Sequence, residues 1–225
     1  MLYPRAATWV YWANVDFDKC STSICCASHH TGFKGHSEGM QIFAKARIRN
    51  ATFLLVANDF GNGCANRCRM RSALFNLSPA RMLDGKRILI KSLARDETVA
   101  AYHAADIFLF PSNIECSPLV LFECLASKTP FLTSDAGNAA EIIRWSGAGR
   151  LLPTFQDEHG YARADVNSSA KALEDMVADS AARKSMAAAG FSAWRKRFTW
   201  DKISLEYESL YKRMLNAKSP GAALP

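Results

Sequence analysis

The chain has 225 residues, of which 49% are apolar and 22% charged, so it can bury the core of one domain and is not disordered overall. Twenty-eight lysines and arginines outweigh 21 acidic residues, and the resulting charge of +7 favours an anionic partner. No apolar run approaches the roughly 20 residues that span a bilayer, and no aromatic-basic alternation indicates a nucleic-acid groove. Residues 1–20 lack a secretory signal pattern, so we expect a cytoplasmic protein with reduced cysteines.

From about residue 24, short apolar strands alternate with helices. The predicted strands are 24–28, 52–57, 87–91, 107–110, 131–133 and 150–152. The predicted helices are 37–48, 96–105, 118–127, 168–188 and 201–216, with an inserted loop or loop-plus-helix at 61–80. Continuous apolar strands separated by helices indicate a parallel sheet covered on both faces. The predicted fold is therefore α/β and Rossmann-like, with about six strands and a helical C-terminal end.

Polar segments follow the predicted strands where each strand ends. They comprise 28–35 after the first strand, 112–117 after the fourth and 134–138 after the fifth. Ligands of such sheets bind beyond the carboxyl ends of the strands, so these segments predict a ligand site.

The helix predicted after the fourth strand is apolar except at Glu123, which indicates a buried helix. Ser117 is the expected N-cap, and Pro118 the expected first helical residue. Glu115, eight residues before Glu123, completes a pair of carboxylates around a helix N-terminus that suits a phosphate. This pattern predicts a phosphate flanked by sugar hydroxyls, with Lys34 in the glycine-flanked 32–35 loop as a further phosphate contact. The alternative is that both acids and the lysine are ordinary structural or solvated residues.

The longest ordered motif begins at Phe110 and reads FPSNIECSPLVLFECLASKTPF, followed by SDAG and Glu141. It resembles the E-x7-E block, with the segment after it, of the retaining enzymes of glycosyltransferase family 4, which have the GT-B fold. The resemblance covers about residues 24–216 and corresponds to the donor-binding half.

The resemblance implies that Glu115 contacts the transferred sugar and that Glu123 holds the ribose hydroxyls of a nucleotide sugar. It implies metal-independent transfer with retained configuration and no cofactor, with Glu115 and Lys34 as the catalytic residues. The residues implied in donor binding are Ser28, His29, Gly32, Lys34, Glu115, Cys116, Ser117, Pro118, Leu119 and Glu123. The family's arginine before the lysine is replaced by His29 or Ser28, so one phosphate contact is weaker or depends on a protonated His29. Ser117-Pro118 replaces the usual Phe-Gly, which removes one backbone donor.

The resemblance also implies a domain organisation. Residues 24–197 form the donor-binding domain, 198–216 a closing helix and 217–225 a disordered tail, while 1–23 are a remnant or an extra strand. The expected partners are a nucleotide sugar, a glycan or lipid-linked acceptor, and an N-terminal acceptor domain or partner subunit. Nucleic acid is not expected. Residues 195–197, which read Arg-Lys-Arg between Trp194 and Phe198, suggest a peripheral contact with anionic lipid headgroups, and a solvated helix end is the alternative.

Other functions remain alternatives at this stage. A non-catalytic nucleotide-binding protein on the same scaffold needs Glu123 but has no use for Glu115. A dehydrogenase is disfavoured, because no Gly-x-Gly-x-x-Gly turn follows the first strand. Cys64 and Cys68, together with His29, His30 and His36, allow a zinc site, although the spacing of the cysteines better suits two small residues in a loop or helix.

Overall fold

The computed structural model describes residues 22–27, 33–56 and 63–217. The strands are β1 (Thr22–Ala27), β2 (Ala51–Val56), β3 (Arg87–Lys91), β4 (Ile107–Phe110), β5 (Phe131–Thr133), β6 (Gly149–Leu151), β7 (Thr154–Gln156) and β8 (Ala162–Ala164). The helices are α1 (His36–Lys45), α2 (Gly63–Asn76), α3 (Pro79–Leu83), α4 (Arg95–Ala104), α5 (Leu119–Ser127), α6 (Ala139–Ser146), α7 (Val166–Ala178), α8 (Ser180–Ala193) and α9 (Trp200–Ala217). The predictions for 1–21 and 218–225 lie outside the described residues.

Six strands form one parallel sheet in the order β3-β2-β1-β4-β5-β6. This is the Rossmann order, and the predicted α/β fold is confirmed. Every residue of β2, β4 and β5 is buried, because helices cover both faces of the sheet. Phe53, Phe108 and Phe131 are among the largest fully buried side chains, so the middle of the sheet forms the core.

Three elements differ from the sequence expectations. The predicted helix 168–188 is two helices, because the carboxylate of Asp179 accepts a hydrogen bond from the Ala182 amide at 2.8 Å and starts α8. The 61–80 insertion contains α2 and the first two residues of α3, in agreement with the loop-plus-helix alternative. Helix α6 and the antiparallel β7–β8 hairpin were not predicted, because each is too short to show a clear period.

The residues after α8 form a π-helical turn, Trp194–Phe198, that packs against the domain. The Phe198 ring lies 5.1 Å from that of Phe122 on α5 and 6.1 Å from that of Trp145 on α6. Trp194 stacks on Phe191. Both aromatic residues of the predicted lipid contact are thus used within the domain. No helix in the described part of the chain is long and apolar enough to cross a membrane.

Lys86 is a buried cation, with 2% of its surface exposed. Its ammonium donates hydrogen bonds to the carbonyls of Phe43, Ala44 and Ala46, at the C-terminal end of α1. These carbonyls have no partners within the helix, and a cation there also complements the helix dipole. Burial nevertheless lowers the pKa of Lys86 to about 8, and the Arg81 guanidinium acts in the same direction.

We expect the stabilising contribution of Lys86 to grow above pH 8. Between the folded pKa of about 8 and the ordinary lysine pKa of 10.5, the unfolded chain binds one more proton than the folded chain. The free energy of unfolding then rises with pH, by roughly 1 kcal/mol per pH unit. Urea unfolding of the wild type and of Lys86→Met from pH 7 to about 10 measures this effect. The free energy of unfolding of the wild type should rise relative to that of the variant, since other titrations are common to both. A relative free energy of unfolding that stays constant or falls over this range would mean that the hydrogen bonds to the carbonyls keep the ammonium charged.

Candidate functional site

The site lies where the strand order reverses, between β1 and β4. The next strand in sequence after β1 lies on one side of it, whereas β4 pairs on the other side, with Ile24 opposite Ile107. The helices that follow β1 and β4 diverge from such a point and leave a crevice at the carboxyl ends of the strands. The described loop residues 33–35 and the segment 111–117 therefore lie together.

Gly35 fixes the distance between these two segments. Its φ is +64°, and a Cβ placed on it would lie 1.7 Å from the carbonyl oxygen of Pro111. Asn113 donates its backbone N–H to the carbonyl of Phe33 at 2.8 Å. Only glycine permits both the left-handed conformation and this close approach.

Lys34 and Glu115 form an ion pair across the crevice, 81 residues apart in sequence. The Lys34 ammonium donates to Oε1 of Glu115 at 2.6 Å, and the Ser112 hydroxyl donates to the same oxygen at 2.7 Å. The Glu115 side chain is 11% exposed and that of Lys34 25% exposed, so both reach solvent from a partly buried position. The structure thus brings together the two predicted catalytic residues. Ser112 is a contact that the sequence analysis did not single out.

A third segment, after β5, supports the Glu115 loop from the other side. The Ser134 hydroxyl donates to the Ser112 carbonyl, and the backbone N–H of Asn138 donates to the Cys116 carbonyl at 3.1 Å. Gly137 has a φ of +59°, and a Cβ there would lie 2.5 Å from the same Cys116 oxygen. The loop that carries Glu115 is therefore held by backbone contacts on both sides.

Helix α5 begins one residue later than predicted. Pro118 has an extended ψ of 102° and occupies the N-cap position without a side-chain cap, so Ser117 lies outside the helix and Leu119 is the first helical residue. Pro118 is buried, whereas Cys116, Ser117 and Leu119 are exposed. The free amides of the helix therefore start at Leu119 and open towards solvent.

The expectation that α5 is buried on all sides is wrong. Leu121, Cys124 and Leu125 face the core, but Leu119 is 69% exposed and Glu123 is also exposed. Residues four apart lie on one side of a helix, so Leu119 and Glu123 share a solvent-facing side. Glu123 needs no internal partner and is accessible to a ligand.

The β7–β8 hairpin contributes an arginine that the sequence analysis missed. Arg163 contacts Asp157 at 2.8 Å and Glu38 on α1 at 3.5 Å. With the Asn113 amide oriented to suit its surroundings, its oxygen accepts from Arg163 at 2.6 Å and its nitrogen donates to the Ala162 carbonyl at 3.0 Å. Asn113 lies two residues before Glu115, so the hairpin is tied to the same loop.

Three predicted donor-binding residues, Ser28, His29 and Gly32, lie outside the described residues. The zinc alternative depends on His29 and on the side chain of Cys64, which are also outside them. Among the side chains that the structure describes, no group of three histidine, cysteine or acidic residues is placed to hold a metal ion.

The family profile of the glycosyl transferases group 1 matches residues 24–192, which include the whole crevice. The chain belongs to this family. It is 30% identical over 124 residues to the D-inositol 3-phosphate glycosyltransferase of Corynebacterium aurimucosum, a match that covers 55% of this chain and 27% of the relative.

Solved structures show the same fold. The C-terminal domain of a glycosyl transferase group 1 family protein (LpcC) from Francisella tularensis matches with a TM-score of 0.63 and 19% identity, over 80% of this chain and 88% of that one. The Anabaena protein Alr3699/HepE, solved with UDP and glucose, matches with a TM-score of 0.69 and 15% identity, over 85% of this chain and 48% of that one. The fold is that of one Rossmann-like half of a GT-B glycosyltransferase.

Proposed function

We propose that this chain is the donor-binding domain of a retaining, family 4 glycosyltransferase that uses a nucleoside-diphosphate sugar. The observation that carries the proposal is the Lys34–Glu115 pair at the reversal of strand order. The Lys34 cation, beside a helix N-terminus, suits the phosphates of a sugar diphosphate, and the partly buried Glu115 carboxylate 2.6 Å away suits sugar hydroxyls. The UDP and glucose bound by the Anabaena structure of the same fold support this ligand class.

Each group of the site has a role in this proposal. The Lys34 ammonium has three N–H donors, of which Glu115 uses one, so it can bind a phosphate oxygen without leaving the carboxylate. The amides at the start of α5, with Lys34, stabilise the charge of the departing nucleoside diphosphate. Glu115 accepts hydrogen bonds from the sugar hydroxyls, and exposed Glu123 accepts them from the ribose. No metal ion or cofactor is needed in this scheme.

A non-catalytic nucleotide-binding protein is the weaker candidate. Such a protein needs the phosphate contacts and Glu123. It gives no reason to hold the Glu115 carboxylate at 11% exposure between Lys34 and Ser112. The partly buried position of Glu115, beside Lys34 and Ser112, therefore favours the transferase.

We also propose that transfer requires a second domain, which supplies the acceptor site for a glycan or lipid-linked acceptor. Helix α9 packs against the Trp194–Phe198 turn and leaves large apolar side chains exposed. Those exposed by half or more are Trp200, Leu205, Tyr207, Tyr211, Met214 and Leu215. This face supports a contact with an acceptor domain or partner subunit. We also propose that the protein is located in the cytoplasm.

Calorimetric titration of the chain with UDP, GDP and their glucose conjugates tests the donor assignment. We expect saturable binding of one nucleotide, weakened about tenfold or more by Glu123→Ala, because two hydroxyls lose a charged acceptor. Glu206→Ala is the matched control, since Glu206 is an exposed helical carboxylate on α9 and should leave binding unchanged. Equal affinities for wild type and Glu123→Ala would show that Glu123 does not contact the nucleotide. Absence of binding at millimolar nucleotide, with or without an added acceptor domain, would overturn the proposal.

A further inference from the structure

Helices α2 and α3 expose apolar and basic side chains together. Between Gly63 and Leu83 the sequence has four arginines and neither aspartate nor glutamate. Five large apolar side chains of this stretch are more than half exposed, and we call them the α2–α3 apolar surface: Met70 (59%), Leu74 (64%), Leu77 (75%), Met82 (70%) and Leu83 (90%).

The spacing of these residues turns one side of α2 outwards. Met70, Leu74 and Leu77 follow the i, i+4, i+7 pattern of a single helix face. Cys68 and Ser72 are buried on the opposite side, where the Ser72 hydroxyl donates to the Ile88 carbonyl of β3 at 2.8 Å. The apolar stripe is therefore directed away from the sheet and cannot join the core.

Arginines flank this stripe on both sides. At about 100° per residue, Arg67 and Arg71 lie on one flank and Arg69 on the other. Helix α3 lies against the end of α2, with the Arg81 guanidinium 5.4 Å from the ring centre of Phe75. All of these arginines except the half-buried Arg81 are exposed.

The positive charge continues beyond the two helices. Arg81 lines a shallow concave site with Lys45, Arg47 and Arg49, at the end of α1 and the start of β2. One carboxylate, that of Asp84, lines the same site and contacts Arg81 at 3.5 Å. Helices α2 and α3 and this adjoining site thus contain seven basic residues: Lys45, Arg47, Arg49, Arg67, Arg69, Arg71 and Arg81.

We propose that the α2–α3 apolar surface docks this domain on an anionic lipid bilayer. Exposed apolar side chains with arginines on both sides suit the boundary between acyl chains and anionic headgroups. The leucines and methionines enter the boundary of the acyl chains, while the arginines extend sideways to the phosphates of the headgroups. This docking does not depend on the donor assignment, because none of its residues belongs to the crevice.

A lipid surface fits better than a protein partner. The exposed set contains no aromatic side chain, whereas the energetic centres of protein interfaces are enriched in tryptophan and tyrosine. Helix α9 provides the contrast, because its exposed set includes Trp200, Tyr207 and Tyr211. Its six charged residues are three acids and three bases, so it has no net attraction to an anionic surface.

Cosedimentation with vesicles of phosphatidylcholine, with and without phosphatidylglycerol, tests the proposal. The wild type should bind only the anionic vesicles and should be released as salt rises from about 0.1 M to about 1 M, where the screening length falls from about 10 Å to 3 Å. Leu74→Ser with Leu77→Ser, and separately Arg69→Gln with Arg71→Gln, should each lower the partition coefficient about tenfold.

Leu205→Ser with Leu215→Ser on α9 is the matched control, since these leucines are 59% and 70% exposed. This pair should leave vesicle binding unchanged, and thermal unfolding should show that every variant folds. The proposal would be overturned if the wild type does not bind anionic vesicles, or if the α2 variants bind them as well as the wild type does. A vesicle-free dimer that Leu74→Ser with Leu77→Ser dissociates would instead identify a protein interface. UDP titration of the same samples tests the donor assignment independently, so a failure of lipid docking is distinguished from a failure of nucleotide binding.

Discussion

Gly35→Ala should destabilise the domain by about 4 kcal/mol or more, which is exceptional for the addition of one methyl group. The new Cβ would lie 1.7 Å from the Pro111 carbonyl oxygen, which is backbone and cannot rotate away. The φ of +64° adds the cost of a left-handed conformation for a residue other than glycine, about 1 kcal/mol. The loop that carries Lys34 must therefore move away from β4.

Gly160→Ala separates the two contributions. Gly160 has a similar φ, +75°, but no atom lies within 4 Å of the Cβ position. We expect this variant to lose only the conformational part, about 1 kcal/mol. Urea unfolding of both variants measures the difference, with the wild type as reference. Equal losses would show that the approach of Gly35 to Pro111 relaxes at little cost and does not fix the crevice.

The sheet could be predicted because its strands are buried on both faces. Runs such as Ile107–Phe110 are continuous apolar segments between helical segments, a pattern typical of parallel strands. All six predicted strands are found within two residues of their expected bounds. The β7–β8 hairpin was missed because its strands have only three residues each. The glycine at 160 in its turn is too weak a signal to indicate a hairpin without longer strands beside it.

The site was predicted in part, and the limits have a physical cause. The convergence of Lys34 and Glu115 follows from strand order, which the pattern of strands and the resemblance indicated together. The exposure of Glu123 did not follow, because composition predicts how apolar a helix is but not which side faces solvent. Arg163 was beyond prediction, since its contact with Asn113 depends on where the hairpin folds back.

The Lys34–Glu115 pair makes the second large prediction, in which two substitutions change ligand affinity in different ways. Lys34→Met should weaken UDP and UDP-glucose together, about tenfold or more, because both ligands lose a charged phosphate contact. Glu115→Gln should weaken only UDP-glucose, since a carboxylate that accepts sugar hydroxyls contributes nothing to bare UDP. Calorimetric titration of each variant with both ligands measures the four affinities.

The direction in which Glu115→Gln changes the affinity for bare UDP distinguishes a functional role of Glu115 from a structural one. The Glu115 carboxylate lies 2.6 Å from the Lys34 ammonium and offsets part of its attraction for a diphosphate. Glutamine has the same shape and still accepts hydrogen bonds from Lys34 and Ser112, so the loop should keep its conformation. UDP should therefore bind Glu115→Gln as well as the wild type or more tightly, above all at low salt, where screening is weakest. If Glu115→Gln loses UDP and UDP-glucose to the same extent, Glu115 only supports the loop and the sugar contact must be assigned to another residue.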